Sequence, residues 1–458
     1  MKRAILAVVT LATCLTGRLL AQVPTPGGRC VLDYMGSLDG KTTRLTTQQL
    51  PSGKRNSFVG GGFLGRCRGQ DVTLVSDSAE YYEETGLLYL IGNVRYREPR
   101  ANIDAVRMTY WTADGHLQAQ ENVYAVMQSG TTMRGPLADY YRVVPGIRTQ
   151  TMMVATKRPH LNIIQRDSIT GKISDTIHVV ADHITSVADS LTYAGGDVHI
   201  TRPELIATGD SAFMDNGSGR ARLLGKPAVE ARRSRPFTLT GGVIDVFSTN
   251  KQVDRIVATP HGHATSQDLQ LYADSIDLRV RDKVLQRAIA WGKGGGRAVS
   301  PERDIIADSI DALLPEQQLR EIHAVKNAYT TSIPDTATIV TRERDWMRGD
   351  TIVAIFETMA RGDTTHTPPL HTLIANNRAK AYYHVKNDRD KRKPGINYVR
   401  GKVIDIALHN SAVQTVTVTD SASGVYIEAA TDSVSNPSKP PVTPRGAPPG
   451  RSNPRPRT

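Results

Sequence analysis

DVTLVSDSAEYYEETGLLYLIGNV, Asp71–Val94, holds the unit from which most of the chain is built. Val72 and Leu74 alternate with polar neighbours until Ser76-Asp77-Ser78 interrupts them. A second apolar run, Leu87–Ile91, ends at Gly92-Asn93-Val94. Alternation with a period of two, bounded by Gly, Asn, Asp and Ser, marks half-buried strands joined by tight bends. The stretch therefore reads as strand, polar corner, strand, turn, strand.

The unit recurs. Asp sits between small and apolar residues at Ile103-Asp104-Ala105, Ala181-Asp182-His183 and Gly209-Asp210-Ser211. It returns at Ala273-Asp274-Ser275, Ala307-Asp308-Ser309 and Gly349-Asp350-Thr351. The turn returns as Glu121-Asn122-Val123, Gly196-Asp197-Val198, Gly225 to Val229, Gly262-His263-Ala264 and Lys326-Asn327-Ala328. Corners fall roughly 30 to 40 residues apart, or twice that, which signals a stack of one supersecondary unit. Asp, Asn and Gly serve backbone geometry at such positions. They read as fold markers, not catalysts.

A strand, then Asp among small residues, then Gly-Asn-Val resembles the OstA/LptA family of lipopolysaccharide-transport proteins. That module also forms the N-terminal part of the outer-membrane lipopolysaccharide assembly protein. The clearest matches are Ser76-Asp77-Ser78 with Gly92-Asn93-Val94, and Ile103-Asp104-Ala105 with Glu121-Asn122-Val123. The resemblance covers residues 71–330 well and 331–428 more weakly. It implies an all-β, elongated stacked β-jelly roll of two facing antiparallel sheets. It further implies a non-enzymatic periplasmic lipid carrier, at or near the outer membrane, whose groove holds acyl chains. Lipopolysaccharide or a related lipid is the implied ligand. Other Lpt-type envelope proteins, or a second copy pairing by edge strands, are the implied partners. The inward, lipid-facing candidates are Val72, Leu74, Leu88, Leu90, Val94, Val179, Leu269, Leu271 and Ile305; the alternative for each is a sealed core position. The repeat region is longer than a short bridging protein of that family, and no barrel follows it.

Residues 1–21 read as a secretory leader: Lys2 and Arg3, an apolar run from Ala4 to Leu15, and Ala21 before the cut. Leu11-Ala12-Thr13-Cys14 offers a lipoprotein reading, disfavoured by Thr13 and Arg18. Export leaves Cys30 and Cys67 where disulfides persist, either paired or as two structural thiols. Residues 22–70 read as a loop-rich extension. After about 429 the chain turns Pro-, Ser- and Arg-rich and reads as disordered.

Aromatic residues are 5% of the chain, so the interior is expected to be aliphatic, and the girdles of an outer-membrane barrel are not expected. Fifty-seven basic against 45 acidic residues leave a net charge of +12. In an exported protein that suits anionic lipid head groups or lipopolysaccharide phosphates, not nucleic acid, or else serves solubility alone. Trp291–Arg297, WGKGGGR, lacks P-loop spacing and reads as a flexible turn. His261-Gly262-His263 has no further ligand at zinc spacing. No nucleophile, paired carboxylates or cofactor motif stands out. The alternative function is an exported β-solenoid that binds polysaccharide or protein without carrying lipid.

Overall fold

The computed structural model describes residues 30–37, 43–166, 171–232, 236–266, 269–358, 368–387, 390–409 and 412–428. The leader with Cys14 and the tail from 429 lie outside the described residues. Twenty-nine strands among them form one continuous antiparallel ladder, with a single 3-10 turn at Pro315–Gln317. This is the stacked β-jelly roll: an all-β chain in which most strands pair with a sequence neighbour and several also pair across intervening strands.

What makes the ladder a jelly roll is a bend inside the long strands, elsewhere replaced by a break between two short ones. Thr73–Tyr82 pairs with Leu87–Glu98 through Val75↔Arg95 on one side of the bend and Ser78↔Ile91 on the other. Ser76-Asp77 and Gly92-Asn93 are left facing each other between the two halves. Gly92 and Asn93 both have positive φ (79° and 47°), a conformation that favours Gly and Asn. The Asn93 Nδ2 donates to Asp77 Oδ2 at 2.8 Å. A Cβ on Gly92 would lie 2.3 Å from that same oxygen, so with the Asp77 side chain in this position only Gly fits opposite it. The contact recurs between Asp182 and Gly196 and between Asp210 and Gly225. In the Asp308 copy the Asn327 Nδ2 donates across the bend at 3.1 Å.

Gly-Asn-Val is not a turn ending a strand; it is a left-handed bulge within Leu87–Glu98, opposite the Asp corner. The hairpins fall at 83–86 and 99–100 instead. Both features need positive φ, so their residue signature is the same. Trp291–Arg297 is likewise a bulge inside Val284–Val299. Asp104 is no corner: the register break follows it, and it pairs with Arg97 at 2.5 Å. Residues 30–67, expected as loops, supply the first strands: Leu32–Gly36, Arg44–Gln49 and Arg55–Cys67. Gly61 and Gly62 form the bend of the last of these. Past residue 330 the ladder continues unbroken through Asp345–Phe356, Leu370–Val385 and Gly395–His409.

Each bent strand thus has two legs, and the legs stack into two facing sheets. Side chains alternate inward and outward along each leg. In Leu87–Glu98, Leu88 and Leu90 point inward on one leg and Val94 and Tyr96 on the other. Bends form a closed spine, and hairpins form two free edges.

Candidate functional site: the trough between the two sheets

The interior between the legs differs along the stack. At the N-terminal end it is sealed, and not by aliphatic residues alone. Tyr96, Tyr110 and Tyr140 are among the largest fully buried side chains, with ring centroids 6.1 to 6.2 Å apart. Tyr140 donates its hydroxyl to Glu98. Arg142 lies 3.5 Å from Glu98 and donates to Gln70 at 2.6 Å. Because Glu98 and Arg142 come from opposite sheets, this cluster ties the two free edges together. Burial holds the Tyr96 and Tyr140 hydroxyls above their ordinary range, and the Glu98 charge adds to it, so both phenols stay protonated.

Cys30 and Cys67 are joined, with Cα atoms 4.9 Å apart, on the rim of the cluster. The Cys67 Sγ lies 3.9 Å from the Tyr110 hydroxyl, and the Cys30 amide donates to the Thr112 carbonyl at 3.0 Å. Val72, Leu74, Leu88, Leu90 and Val94 are all buried in this sealed part.

Polar stitches continue along the free edges. The Ser129 amide donates to Asp189 at 2.9 Å, and Arg202 donates to the Lys251 carbonyl at 3.0 Å while pairing with Asp175 at 2.9 Å. Beneath them lies a cavity of about 70 Å³ between Ile177, Ile200, Met214 and Val246. Val179 is buried beside it, paired in the ladder with Ile200.

Further on, the trough widens. A cavity of about 40 Å³ is lined by Phe237, Leu271, Leu278 and Ile310. It shares Leu269, Ala298 and Ile322 with a gap of about 350 Å³, where the free edges part. One lip of that gap is Ser300–Arg303 and the other is Leu319 with Pro369. Leu269 and Leu271, on one strand, line the small cavity, and Leu269 also meets Ile305 of a later strand in the gap; Leu269 is only half-buried.

The lining offers apolar surface that a hydrocarbon chain would fit. Each methylene moved from water into such a lining gains about 0.8 kcal/mol. Among the described residues no cluster of His, Cys, Asp and Glu is placed to hold a metal. His263 instead stacks on Tyr272 at 4.3 Å on the outer face. Two outer aromatic rows also escaped the sequence reading. Trp111, His116 and Tyr141 stack at 4.3 Å, and Trp346 lies parallel to Tyr382 at 6.0 Å. Their signal was present in the cross-strand register, which pairs Trp111 with His116 and His116 with Tyr141.

Comparison with models of known protein families found no match, and no curated protein resembles the chain significantly. Among solved structures, the chain is similar to the crystal structure of LptH from Pseudomonas aeruginosa. LptH is described as the LptA homologous periplasmic component of the conserved lipopolysaccharide transport device. Identity is 18% and the TM-score 0.22, over 25% of this chain and 81% of LptH.

Proposed function

We propose that the protein is a non-enzymatic periplasmic carrier of lipopolysaccharide or a related lipid, acting in outer-membrane biogenesis. The observation that carries this reading is the trough. Apolar residues from both sheets line successive cavities from Ile177 to Leu370, and the last opens at the free edge. Repeats resembling those of the OstA/LptA family supply the lipid class. Acyl chains lie in the trough, held by apolar contact alone, and no bond is made or broken. The lipid-facing residues in this proposal are Leu269, Leu271 and Ile305. The residues under the tyrosine seal act as core.

Partners follow from the ends of the stack. Arg44–Gln49 and Ser423–Ile427 each pair on one side only among the described residues. Open strand edges are templates for another Lpt-type module or a second copy.

A polysaccharide-binding role draws support from Tyr329, Trp346, Tyr382 and Tyr398, which lie side by side across four neighbouring strands. However, the parallel stacking of Trp346 on Tyr382 covers ring faces that a sugar would need. The full-length protein, purified from an envelope that contains lipopolysaccharide, is expected to carry lipid A-bearing species detectable by mass spectrometry after organic extraction. Recovery of polysaccharide without lipid would transfer the assignment to the alternative.

A further inference from the structure

Building on the carrier reading, we infer that Arg303 binds the anionic head of an amphiphilic lipid whose acyl chain lies in the gap behind it. Arg303 begins the strand Arg303–Leu313, fixed by a hairpin in which Ser300 and Arg303 exchange backbone hydrogen bonds at 2.8 and 3.3 Å. It shares parity with Ile305 and Ala307, both buried, so its side chain is directed into the trough at the lip of the gap.

Two other buried arginines at the free edges, Arg142 and Arg202, have carboxylates. Arg142 has Glu98 and Arg202 has Asp175. Arg303 makes no side-chain hydrogen bond or ion pair with any described residue. Asp345, a mostly buried carboxylate that acts on it through space, is engaged by the His384 ring at 2.7 Å and its amide at 2.9 Å. Glu302 and Asp345 act on Arg303 through space, while loss of water pulls the guanidinium down to about 10. At neutral pH it therefore remains a cation at the lip of the gap, partly offset through space by Glu302 and Asp345 but bonded by neither. A desolvated charge of that kind is costly until something neutralises it.

The gap fixes which anion. Behind Arg303 the wall is Leu269, Ile305, Ile322, Phe356 and Leu370, and about 350 Å³ is room for a ligand of ordinary size. A free phosphate satisfies the cation and leaves that space empty. A phosphate or carboxylate joined to a hydrocarbon chain fills both, because guanidinium pairs closely with such groups. The lipid enters sideways, between Ser300–Arg303 and Leu319, not through the sealed N-terminal end.

Calorimetric titration of the full chain with dodecyl phosphate, dodecyl maltoside and inorganic phosphate, each below any micelle threshold, tests this. Dodecyl phosphate is expected to bind about tenfold or more tighter than dodecyl maltoside. Arg303→Gln is expected to bring the two affinities together, and Arg303→Lys to restore part of the difference. Inorganic phosphate is expected to give no heat. Arg303→Gln removes a half-buried cation that makes no side-chain hydrogen bond, so its unfolding midpoint is expected not to fall, which separates lost binding from lost folding. If neither amphiphile binds the unaltered protein, the carrier reading falls and this assignment with it. If both bind and Arg303→Gln leaves their ratio unchanged, the carrier reading stands and Arg303 is not the head-group site. Binding of inorganic phosphate as tight as that of dodecyl phosphate overturns the lipid assignment and leaves an anion site.

Discussion

Arg142→Met is expected to cost the N-terminal end of the stack about 3–5 kcal/mol, the range for leaving one member of a buried ion pair alone. Side chains of Arg142 and Glu98 are 8% and 6% exposed, and Tyr140 already spends its hydroxyl on the same carboxylate. Without the arginine, Glu98 keeps one donor and a buried negative charge beside three aromatic rings. The double variant Glu98→Gln with Arg142→Met removes both charges, and it is expected to recover most of the loss. Stacks of this kind are stabilised mainly by neighbouring rungs, so the damage stays local. Hydrogen exchange resolved by region is therefore the measurement, not a global midpoint. Protection should fall in Leu87–Glu98, Ala101–Trp111 and Thr132–Tyr141, and remain in Leu269–Arg281. Uniform loss along the whole ladder, or a double variant worse than the single, would contradict the seal.

Opening the disulfide comes next in size. With 37 residues separating Cys30 from Cys67, chain entropy assigns the closed loop about 3–4 kcal/mol. Among the described residues Leu32–Gly36 pairs in the ladder only with Arg55–Cys67, so it is the strand that should fray when Cys30→Ser removes the bond. The Cys30 amide would lose its place on the Thr112 carbonyl, uncovering the Tyr110 side of the seal. Exchange of amides in Leu32–Gly36 and Arg55–Cys67 is expected to accelerate, with the wide part of the trough unaffected. Unchanged protection in those strands would show that packing alone holds them.

Bends were legible in the sequence because they require particular residues. Asp77 with Gly92-Asn93, and Asp182 with Gly196-Asp197, follow from one steric contact and one left-handed backbone turn. Whether such a pair ends a strand or bends it depends on pairing across the ladder, which local sequence does not carry. The seal was hidden for another reason. Tyr96 and Tyr110 alternate along their strands as any half-buried residue does, and Glu98 and Arg142 stand beside hairpins where charges usually face water. Only the meeting of two sheets makes them neighbours. Leu271 and Leu74 likewise read alike, as inward leucines at matching positions, yet one borders open space and the other is packed. Void volume belongs to the assembled stack.

Site-specific photocrosslinking in the envelope, with the probe placed in turn at Leu271, Ile305, Leu74, Leu90 and Thr73, tests the lipid trough most directly. Lipopolysaccharide adducts are expected at Leu271 and Ile305. None are expected at Leu74 and Leu90, which are 0% exposed under the seal, or at Thr73 on the outer face. A folded, exported protein with no adduct at Leu271 and Ile305, or with equal adducts at Thr73, would contradict the carrier.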